Sequence, residues 1–269
     1  MTDPVLSLTA LILSGGLGTR LRSVVSDRPK PMAMVDETPF IEILVRSLAN
    51  KGVHDFVLLT GYMGDVIQEH FRRIDLPDLT VRCCQEPEPL GTGGAVKNAE
   101  RYASDPSLLV NGDTFFDADL DRLCRFHSQQ RADATLSLVW VDDVSRYGAV
   151  RLSSAGMIEG FREKGTGSAG PGWINAGLSL LSRSVIHDLP EGRAFSMERE
   201  TFPVLAKAGR LAGLGQQGAF FDIGTPESYT RFREFVRTGK AKRRTATDIG
   251  ASTTKGGDDG CKENFDAGG

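Results

Sequence analysis

The chain has 269 residues, 40% of them hydrophobic and 25% charged, which suits one globular unit with a substantial core and argues against a disordered or membrane composition. Its formal net charge of -3, from 32 Lys and Arg against 35 Asp and Glu, argues against bulk nucleic-acid binding, which calls for a basic face. No apolar run approaches the roughly 20 residues of a membrane helix, and MTDPVLSLTA has no basic region before its apolar segment. A cytoplasmic chain with no signal peptide and no membrane attachment is therefore expected. Its cysteines, at 83, 84, 124 and 261, fit no zinc spacing and read as reduced structural thiols.

Ala10 to Leu13 predicts a strand that stops at a glycine-rich turn (Gly15, Gly16, Gly18) followed by Arg20, Arg22, Arg28 and Lys30. Backbone amides in such a turn can wrap a phosphate, and the cations can neutralise it. The turn ends in Gly18-Thr19-Arg20 rather than Gly-Lys-Ser/Thr, so it is no P-loop. Counted from Gly16 the sixth position is Leu21, so it is no dinucleotide fingerprint either. Solvent-exposed cations on a tight strand-to-helix turn are the plainer alternative. Against it stand Pro29 and Pro31, which hold Lys30 on a stiff backbone suited to an aimed ammonium.

Thr38-Pro39 reads as a helix start, with Thr38 as N-cap and Pro39 at the first helical position. Phe40, Ile41, Leu44, Val45 and Leu48 recur at helical spacing up to the stop at Asn50-Lys51-Gly52. A strand at Phe56 to Thr60, a helix at Gly64 to Arg72 and a strand at Leu79 to Cys83 continue a parallel α/β pattern. The second glycine cluster, Leu90 to Ala95, opens another helix. Leu108 to Val110 is then a buried strand ending in Asn111-Gly112-Asp113, which sets a carboxylate at the carboxyl end of a strand, where open α/β sheets bind ligands.

A helix from Asp119 to Gln130 and a strand from Ala134 to Val141 follow. Between Tyr147 and Ser182 short apolar runs are separated by glycine and serine with no room for crossover helices, which predicts an antiparallel extension laid against the parallel sheet. A helix around Met197 to Ala208, strands at Leu211 to Leu214 and Ala219 to Ile223, and a helix from Pro226 to Arg237 complete one unit, residues 1–238. Residues 239–269 hold almost no apolar side chains, so a disordered tail is expected, its Lys240 to Arg244 cluster solvated. The fold class is α/β: a Rossmann-like, mostly parallel sheet flanked by helices with a small antiparallel extension. Trp140 and Trp173 read as core, and the scattered histidines as structural or exposed.

The GGLGTRLR segment followed by Arg28-Pro-Lys-Pro-Met32 resembles the signature of the sugar-1-phosphate nucleotidylyltransferases. Leu90 to Ala95, Asn111 to Asp113, Phe161 to Lys164, Asn175 to Gly177 and Asp222 to Pro226 continue that resemblance in order. It implies a catalytic domain in which a nucleoside triphosphate and a sugar 1-phosphate give a nucleotide sugar and pyrophosphate. Arg20 and Lys30 would be catalytic, holding the α-phosphate and the departing pyrophosphate. Asp113 and Asp222 would hold Mg²⁺, a hard cation content with one or two carboxylates. Ser14, Gly15, Gly16, Gly18, Thr19, Gln85, Gly91, Thr92 and Gly112 would bind the nucleotide, with Gln85 and Glu86 near the segment that reads the base. Glu163, Lys164, Asn175, Gly177 and Glu198 would bind the sugar phosphate.

The phosphate nucleophile is already ionised, so such a reaction needs positioning and charge neutralisation rather than a general base. Similarity of Ser23 to Asp27 and of Leu90 to Ala95 to heptose-1-phosphate guanylyltransferases points to GTP and D-glycero-D-manno-heptose 1-phosphate, giving GDP-heptose. Mannose-1-phosphate guanylyl transfer and glucose-1-phosphate uridylyl or thymidylyl transfer are the enzymatic alternatives. A nucleotide-sugar sensor or regulatory subunit is the non-enzymatic one, and a homodimer paired through the Gly148 to Leu181 region is the candidate assembly.

Overall fold

The computed structural model describes residues 5, 7–16, 28–162 and 170–239. Strand β1 (Thr9–Leu13) is flanked by parallel partners: β4 (Asp55–Thr60) on one side and β6 (Ser107–Asn111) on the other. β5 (Thr80–Gln85) extends the parallel block beyond β4. β1, β4 and β6 are near-continuous apolar runs because both faces are covered by helices, whereas β5 at the edge exposes Thr80, Arg82 and Gln85. Helices α1 (Phe40–Ala49), α2 (Gly64–Arg73), α4 (Leu120–Gln130) and α7 (Pro226–Arg237) feed a core against Ala10, Ile12, Phe56 and Leu58. Helices α3 (Gly91–Asn98), α5 (Arg183–Asp188) and α6 (Phe202–Lys207) bury the opposite face against Leu11, Val57 and Leu109. Among the described residues no helix is long and apolar enough to cross a membrane.

The expected α/β class stands, with one change to the antiparallel part. β8 (Ala134–Val141), β9 (Ala149–Leu152), β10 (Ile158–Arg162) and β11 (Gly172–Leu181) are hydrogen-bonded into the main sheet rather than laid against it. The junction is β11, which on one edge pairs antiparallel with β9 at Trp173 and Ile174 and then with β6 through Leu178 to Leu181, while β8 runs along its other edge. A register shift between Asn175 and Ser179, with Gly177 at a φ of 79°, lets one strand bend and change partners. β12 (Leu211–Gln216) closes that side parallel to β8, giving a nine-stranded sheet.

Local predictions differ from the structure at three places. Thr38–Pro39 is strand β3, paired antiparallel with β2 (Met34–Val35), and α1 starts only at Phe40, whose N–H donates to Ala33 O at 2.9 Å. Pro39 holds an extended backbone there, φ -62° and ψ 145°, and Thr38 makes no cap hydrogen bond. The helix expected over Met197 to Ala208 is a π-helical turn (Met197–Thr201) leading into α6. Pro203 has no N–H for the ordinary i to i-4 bond, and this permits the wider turn. Trp140 is 52% exposed rather than core, because β12 ends at Gln216 opposite Val139 and leaves it without a neighbour on that side. It stands edge-to-face on Trp173, ring centres 5.2 Å apart. Burial pushes the Cys83 thiol up to about 11, which keeps it unreactive, as expected of a structural cysteine.

Candidate active site

β1 runs into Ser14, a buried residue whose N–H donates to Leu59 O at 2.8 Å and whose hydroxyl donates to Ile12 O at 3.2 Å. Ser14 is therefore spent on the fold, and the chain opens at Gly15 and Gly16. A Cβ on Gly15 would lie 2.4 Å from Glu86 Oε1, whereas one on Gly16 would meet nothing within 4 Å among the described residues. Gly112 closes the other side: its N–H donates to Leu13 O at 3.0 Å, and a Cβ there would lie 2.3 Å from the same oxygen. Gly112 thus presses the end of β6 on that of β1, while Gly15 lies against Gly61 just past β4. Gly18, Thr19 and Arg20, and the Ser23 to Asp27 segment, lie outside the described residues.

Past Gly112 the chain turns through Asp113 into β7 (Thr114–Phe116), which pairs antiparallel with β13 (Phe220–Asp222). Thr114 faces Asp222 in that pairing, and Ile223 N–H donates to Asp113 O at 3.0 Å, so the two aspartates become neighbours. Lys30 reaches them from a 3-10 turn (Lys30–Met32) that Pro29 opens and Pro31 stiffens. Its ammonium donates to Asp113 Oδ2 at 2.6 Å and lies 3.8 Å from Asp222 Oδ1. Each carboxylate has a second donor: Thr114 Oγ1 on Asp113 Oδ1 at 3.2 Å, and Gly224 N–H on Asp222 Oδ1 at 2.7 Å. A Cβ on Gly224 would lie 2.7 Å from Asp222 Oδ1, so glycine is what allows that approach. Tyr147 was not singled out by sequence. Burial, with the Asp222 charge adding, holds its phenol above the ordinary range, and its ring packs edge-on to Phe220 at 5.9 Å.

The second glycine cluster answers mainly to packing. A Cβ on Gly93 would lie 2.1 Å from the Phe195 ring and one on Gly94 would lie 2.8 Å from Arg193 O, while Gly91 has a φ of 68°. Backbone bonds from Gly93 to Phe195 and from Phe195 to Leu90 lock the loop down, at 2.9 and 3.0 Å. Thr92 then links α3 to the π-helical turn. Its hydroxyl donates to Glu198 Oε2 at 2.7 Å and accepts from Met197 N–H at 2.9 Å, and Ser196 Oγ donates to the same Glu198 oxygen at 2.8 Å.

Gln85, the expected base reader, is exposed at the end of β5, its side chain beside Gly64 of α2. Glu86 instead lies between the two glycine loops. Its Oε2 accepts from Leu90 N–H at 2.9 Å, and its Oε1 packs on the backbones of Gly15 and Gly61. Burial raises this carboxyl above its ordinary range, opposed by the Leu90 hydrogen bond. The sequence signal was a carboxylate one residue past the strand end, inside Glu-Pro-Glu-Pro. At the far end of the site Asn175 Oδ1 accepts from Gly177 N–H at 3.0 Å, and a Cβ on Gly177 would lie 3.2 Å from Asn111 and Thr114. Asn175 is thereby anchored beside the Asp113 turn. Glu163 and Lys164 lie outside the described residues. Among the described residues no cluster of three or more His, Cys, Asp or Glu is placed to hold a metal; Asp113 and Asp222 stand as a pair.

A mostly parallel sheet whose carboxyl edge carries a glycine turn, a lysine and two aspartates defines a nucleotide-handling α/β protein. The chain belongs to the nucleotidyl transferase family, which it matches over residues 9–239. It is similar to the D-glycero-alpha-D-manno-heptose 1-phosphate guanylyltransferase of Campylobacter jejuni, 35% identical over 84% of this chain and 98% of the relative. It is also similar to the mannose-1-phosphate guanylyltransferase of Mycobacterium tuberculosis, 37% identical over 82% of this chain but only 62% of the relative. Among solved structures, HddC from Yersinia pseudotuberculosis complexed with GMP-PN aligns with a TM-score of 0.75 at 35% identity, covering 85% of this chain and 99% of that one.

Proposed function

We propose that this chain is a heptose-1-phosphate guanylyltransferase, converting GTP and D-glycero-α-D-manno-heptose 1-phosphate to GDP-heptose and pyrophosphate. The observation that carries the transferase chemistry is the Lys30, Asp113 and Asp222 centre beside the open Gly16 turn, cation and carboxylates within 3.8 Å. An oxygen of the sugar phosphate attacks the α-phosphorus. The new bond is O–Pα, the Pα–O bond to the β-phosphate breaks, and pyrophosphate leaves with that electron pair. The nucleophile carries charge already, so no side chain needs to take a proton. Lys30 and Arg20 hold the α-phosphate and the leaving group, Lys164 the incoming phosphate, and Glu163, Asn175 and Gly177 the sugar.

Asp113 and Asp222 fit Mg²⁺: two hard carboxylate oxygen donors on adjacent strands, leaving most of an octahedron to phosphate oxygens and water. When bound, the ion supplies charge neutralisation on the triphosphate.

Guanine is supported by Glu86. Its Oε2 accepts from Leu90 N–H, and a carboxylate, acceptor-only, still has lone pairs that suit the adjacent N–H donors, N1 and N2, of guanine, whereas uracil and thymine present one N–H between two carbonyls. The heptose substrate is supported by the match along 98% of the heptose relative against 62% of the mannose one. Mannose 1-phosphate is the second reading, favoured by the slightly higher identity of 37%. Pyrophosphate release measured across the four common ribonucleoside triphosphates with heptose, mannose and glucose 1-phosphates tests both. The highest kcat/KM is expected for GTP with heptose 1-phosphate. Preference for mannose 1-phosphate would shift the assignment to the second reading, and no turnover with any pair would remove the enzymatic one.

A further inference from the structure

We propose that Lys30 is an internal stand-in for the divalent cation: it neutralises Asp113 and Asp222 in the free protein and moves to phosphate when the nucleotide and metal enter together. The inference rests on the reading of those aspartates as the metal pair. The Lys30 side chain is only 10% exposed, 2.6 Å from Asp113 Oδ2 and 3.8 Å from Asp222 Oδ1. A divalent ion on Asp113 Oδ2 would stand about 2 Å from that oxygen. Two like charges would then share one carboxylate a few ångströms apart, so free metal gains little while the ammonium stays. Displacing the ammonium without a new partner strands a nearly buried charge, which is strongly unfavourable. A triphosphate removes that penalty, because its oxygens take the ammonium in charge-assisted hydrogen bonds while the carboxylates take the ion. Metal and nucleotide therefore bind with positive coupling, and the position of Lys30 is the element both bias.

Two measurements on the full-length protein test this without turnover. In the first, Mn²⁺ alone is titrated by electron paramagnetic resonance into wild type, Lys30→Met and Lys30→Gln, each checked for folding by thermal melt. Free Mn²⁺ is expected to bind either variant at least about 10-fold tighter than wild type, within the usual range of coupling between sites. In the second, the acetylation rate of Lys30 is followed by mass spectrometry. It is expected to be slow in the free protein, to rise with saturating Mg²⁺ alone, and to fall again when a non-hydrolysable GTP analogue is added with Mg²⁺. Equal Mn²⁺ affinity in wild type and the variants, or a Lys30 acetylation rate that Mg²⁺ leaves unchanged, overturns the proposal. If Asp113→Asn and Asp222→Asn keep the wild-type response to Mn²⁺, the metal reading of the carboxylates fails first, and the two failures are thereby told apart.

Discussion

Gly16 stands where a Cβ would meet nothing within 4 Å among the described residues, while at Gly93 the same atom would sit 2.1 Å from the Phe195 ring. Among the described residues the fold has a reason for glycine at 93 and none at 16, which leaves room at Gly16 for a ligand's approach. Gly16→Ala is expected to melt within a few degrees of wild type and to raise the KM for GTP by about 10-fold, one hydrogen-bond's worth of lost approach. Gly93→Ala is expected to lose about 1–3 kcal/mol of stability in a urea titration, as overpacked sites do. Glu86 carries a second residue-scale expectation. Burial raises its folded pKa, so its contribution is most favourable below the unfolded carboxylate pKa and is lost as pH rises through the folded one. Glu86→Gln should therefore match or slightly exceed wild-type Tm at pH 7 and lose that margin by about pH 4. Its kcat/KM for GTP should fall by about 10- to 100-fold relative to UTP, since the amide keeps one oxygen for Leu90 N–H and turns the other acceptor into a donor.

Among the elements, those with a full amphipathic turn or a side-chain cap were legible. Asp119 caps α4 through Arg122 N–H at 2.8 Å, and Thr225 caps α7 through Ser228 N–H at 3.3 Å, both on residue types that favour that position. The elements that sequence missed are β2, β3, β7 and α5, which are too short to show a period and are set by their partners: β3 by β2, β7 by β13. The π-helical turn was hidden for the same reason, since its consequence lies in a contact made across the fold. Glu198 was read as a sugar-phosphate ligand, yet one of its oxygens already accepts from Thr92 and Ser196. That bond ties the first turn of the nucleotide-side helix α3 to the π-helical turn. Glu198→Gln is therefore expected to raise the KM for GTP several-fold more than the KM for the sugar phosphate. A larger effect on the sugar phosphate would return Glu198 to its first reading.

At the scale of the molecule, Lys30, Asp113 and Asp222 come from three separate parts of the chain, and their meeting was implied by the family resemblance alone, not by spacing or periodicity. What joins them is the β7–β13 ribbon, held from behind by aromatic rings. Phe232 of α7 lies fully buried with ring centres 5.0 Å from Phe40, 5.3 Å from Phe115 and 5.5 Å from Phe221, so α1, β7 and β13 all rest on one side chain. Cutting that ring away removes the support common to Asp113, at the start of the ribbon, and Asp222, at its end. Phe232→Ala is expected to lose about 3–5 kcal/mol in urea denaturation, the usual consequence of deleting a buried aromatic. Phe232→Leu keeps most of the volume and should lose less than half of that. Because the ribbon sets the spacing of the carboxylates, the leucine variant is expected to lower kcat several-fold at saturating substrates while leaving the KM for GTP nearly unchanged. A leucine variant with wild-type kcat would mean that the spacing is fixed locally, by the Ile223 to Asp113 backbone bond alone.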